Sequence, residues 1–87
     1  MLQGKCWHAA MVLANLTGGQ HVRGFYHGEI TRLDGFLRLS LEPDGSMQHS
    51  WVEKDGKILD PTWWAFTNAP LKIYTFAADD PRYRRTK

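Results

Sequence analysis

Residues 6–17 (Cys-Trp-His-Ala-Ala-Met-Val-Leu-Ala-Asn-Leu-Thr) are apolar on nearly every side, with His8 and Asn15 as the only polar stripe. Ala, Leu and Met are strong helix formers and Gly18-Gly19 is a typical stop, so this run predicts a central, mostly buried helix. Beyond it the hydrophobic period shortens to two. Residues 20–30 read as a strand in which Gly24 and Gly28 mark a bulge or the close approach of another backbone. Asp34-Gly35 is a turn, and residues 36–42 then alternate, with Leu37, Leu39 and Leu41 on one face and Arg38, Ser40 and Glu42 on the other. Residues 71–76 alternate as a last strand at a sheet edge, and Asp79-Asp80-Pro81 closes the ordered part. The expected architecture is α+β: one N-terminal helix carrying the cysteine, packed on a small antiparallel β-sheet.

Two turns fix how these strands pair. Asp55-Gly56 supplies the positive φ angles of a tight reversal between residues 49–54 and 57–62. A two-residue loop there sets Lys54 opposite Lys57, Trp51 opposite Asp60 and His49 opposite Thr62. It puts His49 and Asp60 on one face as diagonal neighbours, with backbones about 7–8 Å apart. A three-residue loop, Lys54-Asp55-Gly56 with a glycine bulge, slips one strand by one residue and sends the two side chains to opposite faces. Both registers are open to the sequence. Pro43-Asp44-Gly45 has the chemistry of a three-residue loop with glycine in the left-handed position. That loop pairs Glu42 with Ser46, Leu41 with Met47, Leu39 with His49 and Leu37 with Trp51. His49 then lies on the leucine face, which is expected to pack against the helix.

Composition narrows the setting. Eighty-seven residues make one domain, 1–87, without repeat or linker, and a chain of this size buries only about 60–65% of its unfolded surface. With 43% hydrophobic and 23% charged residues it is neither disordered nor fibrous. No apolar run approaches the roughly 20 residues of a membrane span and the start lacks a secretory pattern, so a cytoplasmic protein is expected. The net charge is only +2, and Arg82, Arg84, Arg85 and Lys87 fall in the last six residues. That basic tail is expected to be a solvated end, which argues against nucleic acid as a partner.

The one cysteine, Cys6, cannot form an internal disulfide and is a free thiol. Gly4 as a helix cap would put Cys6 in the first turn, where unpaired amides and the helix dipole favour a thiolate. The plainer alternative is a buried small hydrophobe. A helix-borne cysteine, a strand histidine and a next-strand aspartate form a constellation for nucleophilic acyl transfer. Cys6 attacks a carbonyl, His49 moves the proton and Asp60 orients the imidazole. The Cys6 amide, and Gln3 three residues upstream, are the candidate oxyanion donors.

These residues also resemble a family. Gly4-Lys5-Cys6-Trp7, then His21-Val22-Arg23-Gly24-Phe25-Tyr26, then His49-Ser50-Trp51-Val52 and Leu59-Asp60-Pro61-Thr62 are similar to the transglutaminase-like branch of the papain-like cysteine hydrolases. That branch has a cysteine at a helix start, a His-x-Trp-Val strand and an Asp-Pro-Thr strand end. The resemblance covers roughly residues 3–64. It implies a minimal papain-like core, a Cys6, His49, Asp60 triad in that chain order, and chemistry on amide or ester carbonyls: peptidase, amidase, deamidase or transglutaminase. It also points to a small bacterial or phage protein, and no cofactor is implied.

A second reading is a non-catalytic module on the same scaffold that binds or inhibits a protein, for example a phage-type anti-defence protein. Trp7, Trp51, Trp63 and Trp64 are the candidate binders of a protein or peptide, since exposed aromatics mark interfaces. The alternative puts Trp7 and Trp51 in the core, with only Trp63 or Trp64 partly exposed. Metal binding is disfavoured, because His8, His21, His27, His49 and Cys6 show no compact zinc spacing. Monomer and homodimer both remain open.

Overall fold

The computed structural model describes residues 2–32 and 41–86, the side chains of residues 2–5 excepted. Among the described residues, helix α1 (Leu2–Thr17) is followed by five strands: β1 (Gln20–Tyr26), β2 (Met47–Lys54), β3 (Lys57–Asp60), β4 (Tyr74–Ala77) and β5 (Tyr83–Arg85), with one 3-10 turn at Trp63–Ala65. The strands form one sheet in the order β4-β3-β2-β1-β5, every neighbouring pair antiparallel. The fold is thus a helix on an antiparallel sheet, of class α+β. Among the described residues no helix is long and apolar enough to cross a membrane.

Both turns take the shapes their residues dictate. Asp55 and Gly56 have φ of 53° and 72°, so the β2–β3 loop has two residues and Lys54 pairs with Lys57. Gly45 has φ of 87°, the Glu42 amide donates to the Ser46 carbonyl at 2.8 Å, and Leu41 bridges to Met47. The expected partners Leu39–His49 and Leu37–Trp51, with the Asp34-Gly35 turn, fall outside the described residues. Replacing Gly56 by alanine is expected to cost about 1 kcal/mol in urea unfolding, because a Cβ at a left-handed φ is strained.

Helix α1 begins at Leu2, four residues earlier than the apolar run suggests. Leucine, glutamine and lysine at positions 2, 3 and 5 are themselves helix formers, and one interior glycine costs too little to stop them. Gly4 is therefore inside the helix and not its cap, and Cys6 lies past the first turn. At the other end the Lys54 ammonium donates to the Thr17 carbonyl, where the helix leaves unpaired acceptors.

Two cores form on the two faces of the sheet. On one, Ala10, Leu13 and Ala14 of α1 pack on Val52, with Leu59 alongside. On the other, Val22, Tyr26, Met47, Trp51, Ile58, Phe66 and Tyr83 form the larger aromatic core, with Leu41 packed against it. His49 does share a face with Leu41, but this is the aromatic face and not the one that α1 covers with its alanines and leucine. The expected packing of the leucine face on the helix is corrected for Leu41, whereas Leu37 and Leu39 fall outside the described residues and the Cys6 sulfur of α1 still acts on the His49 ring.

Three further boundaries differ. Strand β1 stops at Tyr26 instead of residue 30: the chain passes so close to the Tyr26 ring at Gly28 that a Cβ there would collide with it, and the Thr31 and Arg32 amides turn to the Phe66 carbonyl. Strand β4 is an edge, as expected, but covers Tyr74–Ala77. Its partner β3 has only four residues before Pro61, so Leu71 and Ile73 have no strand to pair with and stay exposed. The basic end is not a solvated tail: β5 pairs with β1, Arg82 holds Asp80 at 2.8 Å over the Phe76 ring, and Arg85 pairs with Glu53.

Gly24 is where β5 fits. A Cβ there would meet the Arg84 carbonyl oxygen at 2.1 Å and the Trp51 ring at 2.7 Å. Gly24→Ala is expected to push β5 off the sheet at a cost of about 1–3 kcal/mol. Loss of amide protection over residues 83–86 in hydrogen exchange checks it.

Candidate active site

The two-residue turn at Asp55-Gly56 sets the register that brings His49 of β2 and Asp60 of β3 to the same face. The His49 Nε2–H donates to Asp60 Oδ2 at 2.8 Å, and both side chains are wholly closed to solvent. Asp60 is saturated with donors. Its Oδ2 also accepts the Tyr83 hydroxyl at 2.6 Å, while Oδ1 accepts the Thr62 amide at 3.0 Å and lies 3.5 Å from the Thr62 hydroxyl. Burial opposes the charge on Asp60, but His49, Tyr83 and Thr62 together hold the carboxyl below its ordinary range.

The imidazole sits in an aromatic box. Ring centroids lie 5.0 Å away for Phe66, 6.0 Å for Trp51, and 6.2 Å for both Tyr26 and Tyr83. Burial alone would keep this ring neutral. The charge and hydrogen bond of Asp60 reverse that, with a smaller contribution from the Cys6 sulfur, and His49 is pushed up to about 10. The direction of that shift favours the protonated ring at neutral pH. The second ring nitrogen, Nδ1, is buried and has no partner in hydrogen-bond geometry among the described residues. Cys6 is thus near enough to act on the ring without being aligned on it, a looseness common before substrate binds.

Cys6 is 3% exposed and lies one turn before Ala10 on the inner side of α1. Its amide is not a free donor, because a helix beginning at Leu2 spends the amide of its fifth residue on the first turn's carbonyl. The expected role of that amide in an oxyanion hole is corrected on this ground. Gln3 belongs to the helix, and its side chain is outside the described ones.

Of the four tryptophans, Trp51 is fully buried in the aromatic core, with its indole N–H on Glu53 at 3.2 Å, so it cannot meet a partner. Trp63 and Trp64 are half-buried, with N–H groups turned to the Tyr26 hydroxyl at 3.1 Å and the Pro61 carbonyl at 2.9 Å. Trp7, 40% exposed, is the most open and rests edge-on against His21. It therefore belongs to the surface rather than the core. Beside it, a groove of about 580 Å³ runs along β1 and β2, lined among others by His21, Arg23, Phe25 and Gln48. His49 contributes only backbone to this groove, since its ring exposes nothing. Burial and the neighbouring Arg23 charge push His21 down. Among the described residues no three of His, Cys, Asp and Glu converge where a metal ion would sit.

Sequence reasoning missed Tyr83 altogether and saw Thr62 only as a strand end. The signal for Thr62 was the spacing Asp-x-Thr, which lets an aspartate accept the amide two residues on. Tyr83 lay behind an Asp-Pro turn and among arginines, where charge masked an inward-facing ring. No protein-family model, no curated protein and no solved structure matches the chain.

Proposed function

We propose that the protein is a small cysteine-dependent hydrolase or acyl transferase acting on amide or ester carbonyls through Cys6, His49 and Asp60. One observation carries this reading: the buried imidazole is tied to Asp60 through Nε2, its Nδ1 has no hydrogen-bond partner among the described residues, and the Cys6 sulfur acts on the same ring.

The protonation of His49 sets the order of events. An imidazolium stabilises a thiolate and acts first as an acid. The Cys6 thiolate forms a C–S bond to the carbonyl carbon. His49 then gives its proton to the departing amine or alkoxide as the C–N or C–O bond breaks. The neutral ring takes a proton from water, or from an acceptor amine, as that nucleophile displaces the thiolate from the thioester. Asp60 remains ionised throughout and fixes the ring.

Intact mass after incubation with an activated ester of a small acid tests this. Wild-type protein is expected to gain one acyl group on Cys6, and Cys6→Ser none at that position. Alkylation of Cys6 by iodoacetamide is expected to slow at least tenfold in His49→Asn, the range in which a positioned acid–base group acts. Equal rates in the two proteins reject an activated nucleophile.

The closure of both reacting groups favours a second reading, a protein-binding module whose triad is silent. Trp7 and its groove would then meet the partner. Tight binding of a partner protein that survives Cys6→Ser, with no acyl-enzyme in the wild type, selects that reading.

A further inference from the structure

We infer that Tyr83 is a positioning residue of the site: by donating to the Asp60 oxygen that also receives the His49 N–H, it fixes the carboxylate and, through it, the imidazole. The inference rests on the triad reading for its consequence in catalysis, but its geometry stands alone.

Two donors from different strands converge on one oxygen. The Tyr83 hydroxyl comes from β5 at 2.6 Å and the His49 Nε2–H from β2 at 2.8 Å. Rotation of the carboxylate would break both bonds and the Thr62 bonds to the other oxygen as well. A carboxylate with one donor can swing, whereas one held at both oxygens from three segments keeps a single orientation.

The hydroxyl is not needed for packing. The Tyr83 ring fills its place through edge contacts with Trp51 at 5.1 Å and Tyr26 at 5.3 Å and through Phe76 at 5.7 Å, all of which phenylalanine would keep. A buried phenol does need an acceptor, and here it takes the carboxylate. Burial first, and the Asp60 charge second, push the Tyr83 hydroxyl up, so it remains a donor at every working pH. The segment that delivers it is itself held: Arg82 grips Asp80 through Nε and a terminal nitrogen, at 3.0 and 2.8 Å.

The test compares Tyr83→Phe with Tyr83→Leu. Tyr83→Phe is expected to retain the near-ultraviolet circular dichroism of the wild type, while the Asp60 carboxyl resonance titrates at a higher pH than in the wild type after loss of one donor. Acyl-enzyme formation is expected to fall several-fold in kcat with KM little changed. Tyr83→Leu, which also loses the ring, is expected to lose stability as well. An Asp60 titration in Tyr83→Phe that matches the wild type overturns the proposal. A shifted Asp60 titration in a protein that forms no acyl-enzyme even as wild type rejects the triad reading and leaves the role of Tyr83 on Asp60 supported.

Discussion

Replacing Asp60 by alanine is expected to cost about 3–5 kcal/mol of folding stability, the usual result of leaving one partner of a buried ion pair alone. Total stability for a domain of this class is only about 5–15 kcal/mol, so the variant is expected to unfold at a much lower urea concentration than the wild type. The cost has three sources. The imidazolium of His49 loses the only hydrogen-bond acceptor it has among the described residues inside a ring of aromatics, the Tyr83 hydroxyl is orphaned, and the Thr62 amide loses its partner. Urea unfolding followed by tryptophan fluorescence checks the size. A double-mutant cycle sharpens it: His49→Leu with Asp60→Leu is expected to be closer to wild type than Asp60→Ala, since removal of both charges leaves no bare ion in the core.

Stability is expected to fall on the order of a few kcal/mol between about pH 6.5 and pH 10, an unusual direction of change for the neutral-to-alkaline range. The sign follows from His49. Its folded-state value, about 10, lies above the ordinary 6.5, so the folded protein binds the proton more tightly than the unfolded chain. The resulting stabilisation is complete below pH 6.5 and is gone once pH passes the folded value. Asp60 acts at the other end: its carboxyl is held below 3.8, and its contribution is present above that pH and lost below it. The maximum therefore falls between about pH 4 and 6.5. Urea midpoints at pH 5.5 and pH 9.5 measure the slope. His49→Gln is expected to flatten it, and an equally steep slope in that variant would assign the effect to other groups.

What the sequence revealed, and what it hid, follows the range of the interactions. The turns were legible because Asp55-Gly56 and Gly45 need only their own backbone preferences to act. The first of them sets the register that makes His49 and Asp60 diagonal neighbours on one face, Asp60 lying opposite a residue two positions from His49. Alternation in β2 could not reveal which partner covers which face, since His49, Ser50, Trp51 and Val52 are all buried. Helix and aromatic core each take one side, and the expectation put His49 on the helix side. The start of α1 was misplaced because an interior glycine was given the weight of a cap. Strand β5 was invisible for a different reason: Tyr83-Arg84-Arg85 has one inward residue and two charged outward ones, too little for a periodic signal. Its existence is decided by a gap opposite Gly24 elsewhere in the chain.

The β1–β5 pairing joins Gly24 to Arg85, 61 positions apart, and it forms one of the two outer ladders of the sheet. Closing so long a loop is entropically slow, so this ladder is expected to be the last to zip during folding and the first to open in fluctuations. Each such opening would carry the Tyr83 phenol away from Asp60 and uncover one side of the aromatic box around His49. The breathing of a three-residue strand would then govern how often the sealed imidazole meets solvent.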